Sequence, residues 1–282
     1  MKNNHAQKIE KWENLTFANN FLFCKILESE PELCKQLLEL LLHVEIDHLE
    51  LPQSEHTLKE TLDSKSVRFD VYTKGDNKIF DIEIQTTNRK NLPKRSRYYQ
   101  SIIDMSNLNA GVDYDELKDT YIIFICMNDI FHKGLPVYTF ENICCENKTT
   151  KLNDRAFKLF FNASDYDKLL SVEEKSFFKF LKGGNAETDF TKELESKIVV
   201  AKKNAEWRMQ YMTWEQTLKE EHKLAYNDGF EEGVYSATLT NASNFLKLNL
   251  LTPEQIAQCC ALPLEEVLSL QEKISEETHD RQ

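Results

Sequence analysis

Two segments of alternating apolar and polar residues, separated by a turn sequence, constrain the fold of this chain more than any other feature. Residues 67–72 read VRFDVY and residues 80–85 read FDIEIQ, with KGDNK between them at 74–78. Strict alternation is typical of β-strands with one apolar face, and a short Gly/Asp/Asn segment between two strands is typical of a hairpin. The sequence therefore predicts an antiparallel β-hairpin over residues 67–85.

The register of this hairpin brings two carboxylates together. If the apolar residues share one face and the turn is centred between positions 76 and 77, Asp70 lies directly opposite Glu83. The same register places Arg68 opposite Gln85. Opposed Cβ atoms lie about 5 Å apart, and two carboxylates at that distance repel unless a cation neutralises them. Mg²⁺ binds one or two carboxylates and activates water for attack on phosphodiesters, so the hairpin predicts a metal-assisted hydrolase with Asp70 and Glu83 as ligands.

The same acids admit a plainer interpretation, because Asp70, Asp81 and Glu83 also fit the solvated face of a half-exposed sheet. The next segment favours the metal site, because residues 88–97 contain no acid in a chain of net charge −12. Their basic residues are Arg89, Lys90, Lys94, Arg95 and Arg97. Positive side chains at the start of a helix suit a phosphate backbone, although a solvated helix turn is the alternative.

The remaining pattern predicts an α/β domain followed by helices. Apolar residues recur at helical spacing over 17–43, with a break at Pro31, and a second helix over 93–109 begins at Pro93. Further strands are predicted at 44–51, 121–127, 137–143 and 157–161. The order α-β-β-β-α-β predicts a mixed sheet. Later helices are predicted at 165–181, 191–226 (with an interruption at 227–229), 236–248, 253–260 and 264–274. This organisation predicts a domain over 1–185, a long helical connector over 186–235 and a small helical module over 236–282.

Charge and hydropathy exclude several classes of protein. With 47 Asp and Glu against 35 Lys and Arg, the chain does not coat nucleic acid by bulk charge, so contact with DNA needs a local basic strip. The longest apolar run, at 121–127, is far shorter than the roughly 18 residues of a membrane span. The first residues lack the apolar stretch of a signal peptide, so we expect a cytoplasmic protein without membrane contact.

The C-terminal module leaves two interpretations open. The spacing of apolar residues over 242–270 fits a helix-turn-helix. However, residues 253–270 contain three Glu and no Lys or Arg, which disfavours insertion into a DNA groove. The alternative is a helical module for packing or for homodimerisation through the C-terminal helices.

Several motifs together resemble one known family. They are FDVY, then DIEIQTTNRKNLPKRSRYYQSIID, with LTFANNFLFCKIL before them and YIIFIC and VYTFENIC after them. Over residues 15–185 this combination resembles the PD-(D/E)XK nuclease family transposases, also described as Rpn family recombination-promoting nucleases. The specific element is E-x-Q followed by a basic helix that contains Tyr. The resemblance implies a restriction-endonuclease-like core with a C-terminal all-α extension and DNA cleavage that depends on Mg²⁺, with Mn²⁺ as an alternative ion.

Residue by residue, the resemblance makes Asp70 the first metal-binding Asp and Glu83 the second acid. Gln85 stands where most of the wider superfamily has Lys, and it would orient the attacking water. Arg68 and Arg97 lie in matching segments and would face phosphate.

One position departs from the family pattern, because Asn20 stands where these proteins commonly have Asp. Its amide implies weaker metal binding. Two hypotheses follow: a Mg²⁺-dependent DNA endonuclease, favoured by the intact D…E-x-Q, and a catalytically impaired module that binds DNA or protein, favoured by Asn20.

Overall fold

The computed structural model describes residues 10–58, 67–87 and 90–279. The helices are α1 (Asn20–Ser29), α2 (Pro31–Leu42), α3 (Leu92–Asn107), α4 (Val172–Leu181), α5 (Asp189–Lys203), α6 (Ala205–Leu248), α7 (Pro253–Cys260) and α8 (Leu264–His279). The strands are β1 (Gln53–Leu58), β2 (Val67–Gly75), β3 (Lys78–Gln85), β4 (Asp119–Cys126), β5 (Val137–Phe140) and β6 (Ala156–Asn162). Within this part of the chain, no helix has both the length and the apolar character that a membrane crossing requires.

The strands form one mixed sheet, as predicted, in the order β1-β2-β3-β4-β6-β5. The β1, β2 and β3 strands are antiparallel, β4 lies parallel to both β3 and β6, and β5 returns antiparallel to β6. The central strand β4 comes from the apolar run, and its residues 122–125 are fully buried. A strand without a polar face fits only a position that is covered on both sides.

Helices cover both faces of the sheet. On one face, Tyr99 of α3 lies against Phe69 and Phe124, with ring centroids 5.1 and 6.4 Å apart. On the other, Phe161 of β6 stacks on Phe178 of α4 at 5.7 Å. Adjacent residues of a strand point to opposite faces. Because Phe160, next to Phe161, stacks on Phe124 at 5.2 Å, α3 and α4 lie on opposite sides of the sheet.

The break at Pro31 and the strands β4, β5 and β6 are confirmed, but the strand predicted at 44–51 is wrong. Among the described residues, that segment forms no ladder with a neighbouring strand, and its backbone bonds to the hairpin turn and to the last residues of β2. The N–H groups of Asp47 and His48 donate to the Asp76 carboxylate at 2.7 and 3.1 Å, and the Glu50 N–H donates to the Lys74 carbonyl at 2.7 Å. The strand forms next, as β1, from a polar half-exposed sequence that suits the edge of a sheet.

This close approach predicts a large cost for a side chain at Gly75. A Cβ there would clash with the His48 carbonyl oxygen. We expect Gly75→Ala to lower the free energy of unfolding by about 2 kcal/mol, because the backbone must shift to admit it. Urea denaturation measures the loss. Gly229→Ala is the control, because a Cβ at Gly229 meets nothing within 4 Å. Equal stability of the Gly75→Ala variant and the native chain would contradict the prediction.

The chain divides into two compact units that meet in sequence between Tyr211 and Met212. The first includes α5, which packs on α1, α2 and α4. The domain limits predicted at residues 185 and 235 stay predictions.

In the second unit, Ala242, Ile256, Ala257 and Val267 form a small core. The interruption predicted at 227–229 is wrong, since α6 continues through it. A helical Gly costs only about 1 kcal/mol, which a long helix tolerates.

Candidate active site

The hairpin pairs in the predicted register, with Val71 opposite Ile82 and Tyr72 opposite Asp81. Beyond the pair of Val71 and Ile82, side chains rather than backbone carbonyls accept the main-chain N–H groups. The Asp70 N–H donates to Glu83 Oε1 at 3.0 Å, and the Ile84 N–H donates to Asp70 Oδ2 at 3.1 Å. Each carboxylate thus accepts a main-chain N–H of the opposite strand, which fixes both side chains where β2 and β3 separate.

The backbone is irregular at this point. Phe69 and Tyr72 share one hydrophobic cluster, and their ring centroids are 5.5 Å apart. In a regular strand, residues three positions apart face opposite sides. The expectation that Val67, Phe69 and Val71 alternate cleanly with Tyr72 is therefore wrong. On the neighbouring strand β1, Glu55 has a φ of +51° between two regular pairs, so the distortion extends over both strands.

Helix α1 supplies a third polar group. Asn19 caps the helix by accepting from the N–H groups of Phe21 and Leu22, which makes Asn20 the first helical residue. The Asn20 side chain hydrogen-bonds to Asp70. Its Oδ1 lies 3.8 Å from the Cys24 Sγ. Burial raises the pKa of Asp70, while the bonds from Asn20 and the Ile84 N–H partly offset that rise.

Arg95 enters the site from α3 and is directed inward. Its Nη2 contacts Glu83 Oε2, its Nη1 donates to Gln85 Oε1 at 3.2 Å, and its Nε donates to the Tyr99 hydroxyl at 2.7 Å. The guanidinium also lies over the rings of Tyr99 and Phe124, 5.0 and 5.4 Å from their centroids. The contact of Arg95 with DNA, predicted for the whole basic strip, stays a prediction, because in this structure its guanidinium is engaged by Glu83, Gln85 and Tyr99.

Both the oxygen and the nitrogen of the Gln85 amide are hydrogen-bonded. Its Oε1 accepts from Arg95, and its Nε2 donates to the Thr87 carbonyl and hydroxyl, each at 3.0 Å. The residue is buried, with 7% of its surface exposed. The geometry connects Gln85 first to Arg95, and its role in orienting water stays a prediction.

Asp81 and Glu83 exclude the solvated-face interpretation, since they are 0% and 1% exposed. Burial raises the pKa of Glu83 well above its usual value, and the charges of Asp70 and Asp81 raise it further. The charge of Arg95 lowers this pKa and offsets part of the rise. Burial, with the charge of Asp70, likewise raises the pKa of Asp81. Neither carboxylate oxygen of Asp81 has a hydrogen-bond partner within the described residues. The buried, unpartnered position of Asp81 thus favours its neutral form over its charged form.

We expect Asp81→Val to stabilise the protein in metal-free buffer. A carboxyl whose folded pKa lies above its unfolded pKa reduces stability as the pH rises from the unfolded pKa through the folded one. The gain should therefore be small near pH 4 and reach about 2 kcal/mol at alkaline pH. Chemical denaturation across this range measures it. Asp81→Asn, which removes the charge but keeps the polarity, should show the same pH trend with a smaller gain. A less stable Asp81→Val variant at alkaline pH would contradict the argument.

The other predicted basic residues face solvent where the structure describes them. Lys90 is exposed just before α3, and Lys94 and Arg97 are exposed on α3. Arg68 is exposed and lies 3.6 Å from Glu55 in an ion pair. Arg89 lies outside the described residues. Contact of this group with DNA stays a prediction.

The donor set fits a hard cation. Asp70, Glu83 and Asn20 offer only oxygen ligands, and Mg²⁺ or Mn²⁺ binds one or two carboxylates and completes its shell with water and phosphate. Over the described residues, no group of three or more His, Cys, Asp or Glu could hold a metal. A structural zinc site of four nitrogen and sulfur ligands does not fit.

A mixed sheet flanked by helices, with paired acids where its hairpin separates, defines an α/β protein with a restriction-endonuclease-like fold. The family model of the PD-(D/E)XK nuclease family transposases matches residues 17–232. The chain belongs to this family. No curated protein and no solved structure matches it.

Proposed function

We propose that this chain is a DNA endonuclease of the transposase or recombination-promoting type, which hydrolyses phosphodiester bonds with Mg²⁺ or Mn²⁺. The interlocked carboxylates of Asp70 and Glu83 carry the proposal, because each is oriented by a main-chain N–H and together they offer a divalent cation two negative oxygens. Membership of a nuclease family supports the same chemistry.

Each group of the site has a task in this proposal. A bound divalent ion polarises the phosphodiester and lowers the pKa of water. Asp70 and Glu83 hold the ion, with the Asn20 amide oxygen as a neutral neighbour. The exposed basic residues bind the DNA backbone and set its register against the acids. They are Arg68, Lys90, Lys94 and Arg97, and Arg89, which lies outside the described residues, is proposed to join them.

Supercoiled plasmid tests the proposal. The full chain should convert it to nicked or linear DNA in Mg²⁺ or Mn²⁺ and leave it intact in EDTA. Lys94→Glu with Arg97→Glu should weaken cleavage more at low salt than at high salt, because salt screens the phosphate contacts that the two basic residues make. Absence of cleavage in both Mg²⁺ and Mn²⁺ would contradict the proposal.

A second candidate function is a non-catalytic DNA- or protein-binding module, and Asn20 is the observation that favours it. A chain that retards duplex DNA in a gel but never cleaves it would support this alternative. Homodimerisation through the C-terminal helices stays a prediction. It is consistent with the exposure of Phe230 and Val234 on α6, and analytical ultracentrifugation of the full chain tests it.

A further inference from the structure

The hydrogen bonds of Gln85 and Arg95 make the two side chains mutually dependent. Arg95 has only donors, and Glu83, Gln85 and Tyr99 accept from its three nitrogen atoms. The Gln85 nitrogen is directed away, towards Thr87, which leaves the Gln85 oxygen facing Arg95. An acceptor at position 85 is therefore what this placement of the guanidinium requires.

A lysine at position 85 would not serve, because an ammonium group has no acceptor and would bring a second positive charge against Arg95. Burial makes that repulsion costly, since the Arg95 side chain is only 23% exposed and that of Glu83 is 2% exposed. The neutral residue at position 85 and the cation at position 95 are therefore complementary.

This complementarity explains how the site keeps a positive charge although the end of β3 that borders it carries no basic residue. Within the described residues, Arg95 is the cation in hydrogen-bond contact with Glu83. It comes from α3, twelve positions later in the chain, and two aromatic rings support its flat face. A planar guanidinium suits a place between a carboxylate and an amide.

We propose that Gln85 acts through Arg95: it is a positioning residue that holds the guanidinium against Glu83, and Arg95 supplies the positive charge of the site from α3. The part of this inference that concerns DNA cleavage rests on the proposed function, whereas the dependence of the two side chains on each other does not.

Moving the cation to position 85 and the amide to position 95 tests the proposal. In the full chain, Gln85→Lys and Arg95→Gln are each expected to lower the thermal unfolding midpoint by about 10 °C, because each disrupts a buried ion pair. The double variant should regain at least half of the larger loss. The amine introduced on β3 lies on the same face as Glu83, and the amide introduced on α3 accepts from it. Losses that simply add in the double variant would overturn the proposal.

A matched control and a fallback keep the test decisive. Lys94→Gln removes a cation from the adjacent, exposed position of α3 and should not alter the effect of Gln85→Lys. If Gln85→Lys fails to fold, Gln85→Met replaces it, because Met has similar length and no comparable acceptor. If Arg95→Gln fails to fold, Arg95→Met replaces it as the second background. A larger loss of stability from Gln85→Met with Arg95 present than in the Arg95→Gln background supports the proposal, because the bonds from Gln85 to Thr87 are lost in both backgrounds. Equal losses in both backgrounds would refute it.

Plasmid nicking gives a second readout that separates the two proposals. The double variant should cleave at least tenfold faster than either single variant. If the native chain never nicks DNA, the proposed function fails, and the stability cycle alone decides whether Gln85 positions Arg95.

Discussion

Asp70→Asn is expected to reduce metal-dependent plasmid nicking at least about 100-fold, which corresponds to about 2.7 kcal/mol of transition-state stabilisation. The amide keeps the shape of the side chain, and its oxygen can still accept from the Ile84 N–H. It lacks the charge that a hard cation needs. The nicking rate at saturating Mn²⁺ measures the loss.

The same substitution should not destabilise the metal-free protein, because it removes a charge that repels the buried Glu83. The thermal midpoint in EDTA should therefore stay the same or rise, and its increase on addition of Mn²⁺ should disappear. Asp119→Asn is the matched control. Asp119 opens β4 beside Lys78, at the opposite end of β3 from Glu83, and pairs with Arg155. Unchanged nicking by Asp70→Asn would remove Asp70 from the mechanism.

The central part of this site could be predicted from the sequence because it depends on two local rules. Side chains alternate with a period of two, and the turn at Asp76 and Asn77 fixes which residues oppose each other. Together they give the register that places Asp70 beside Glu83. The rules do not predict the distortion at Asp70, because Glu55 on a different strand shares it.

The strand predicted at 44–51 shows a second limit. Its alternating apolar residues satisfy the strand pattern, yet the Asp76 carboxylate takes two of its N–H groups. A side chain that competes for backbone donors cannot be recognised from the segment itself. The true strand, β1, is polar, because among the described strands it lies at the edge of the sheet.

The inward position of Arg95 could be predicted from the helical periodicity of the sequence, although counting charges does not reveal it. The buried residues of α3 follow a helical period through Leu92, Ser96, Tyr99 and Ile102. Position 95 lies on this inward stripe, whereas Lys94 and Arg97 fall on the outward side. A cation on an apolar stripe indicates a buried acid partner. Its identity as Glu83 depends on how α3 packs on the sheet.

Asn20→Asp is expected to increase the affinity of the site for a divalent metal and to lower the stability of the metal-free protein. In the native chain, the Asn20 side chain hydrogen-bonds to Asp70. A carboxylate at position 20 removes the amide donor and places a third negative group beside Asp70. Without metal these charges repel, so the thermal midpoint in EDTA should fall. With metal the added oxygen becomes a charged ligand, and we expect Mn²⁺ to bind at least tenfold more tightly, about 1.4 kcal/mol.

Calorimetric titration with Mn²⁺ measures this gain, and nicking at limiting metal should rise in parallel. Asn19→Asp is a close control, because it adds the same charge one residue earlier at a helix N-cap, where Asp and Asn are about equally favourable. That variant should keep the native metal affinity, since Asn19 is engaged with the N–H groups of Phe21 and Leu22. If both variants bind Mn²⁺ equally, the gain comes from net charge at the helix end. If only Asn20→Asp gains, position 20 belongs to the metal site, and its amide accounts for a weakened native centre.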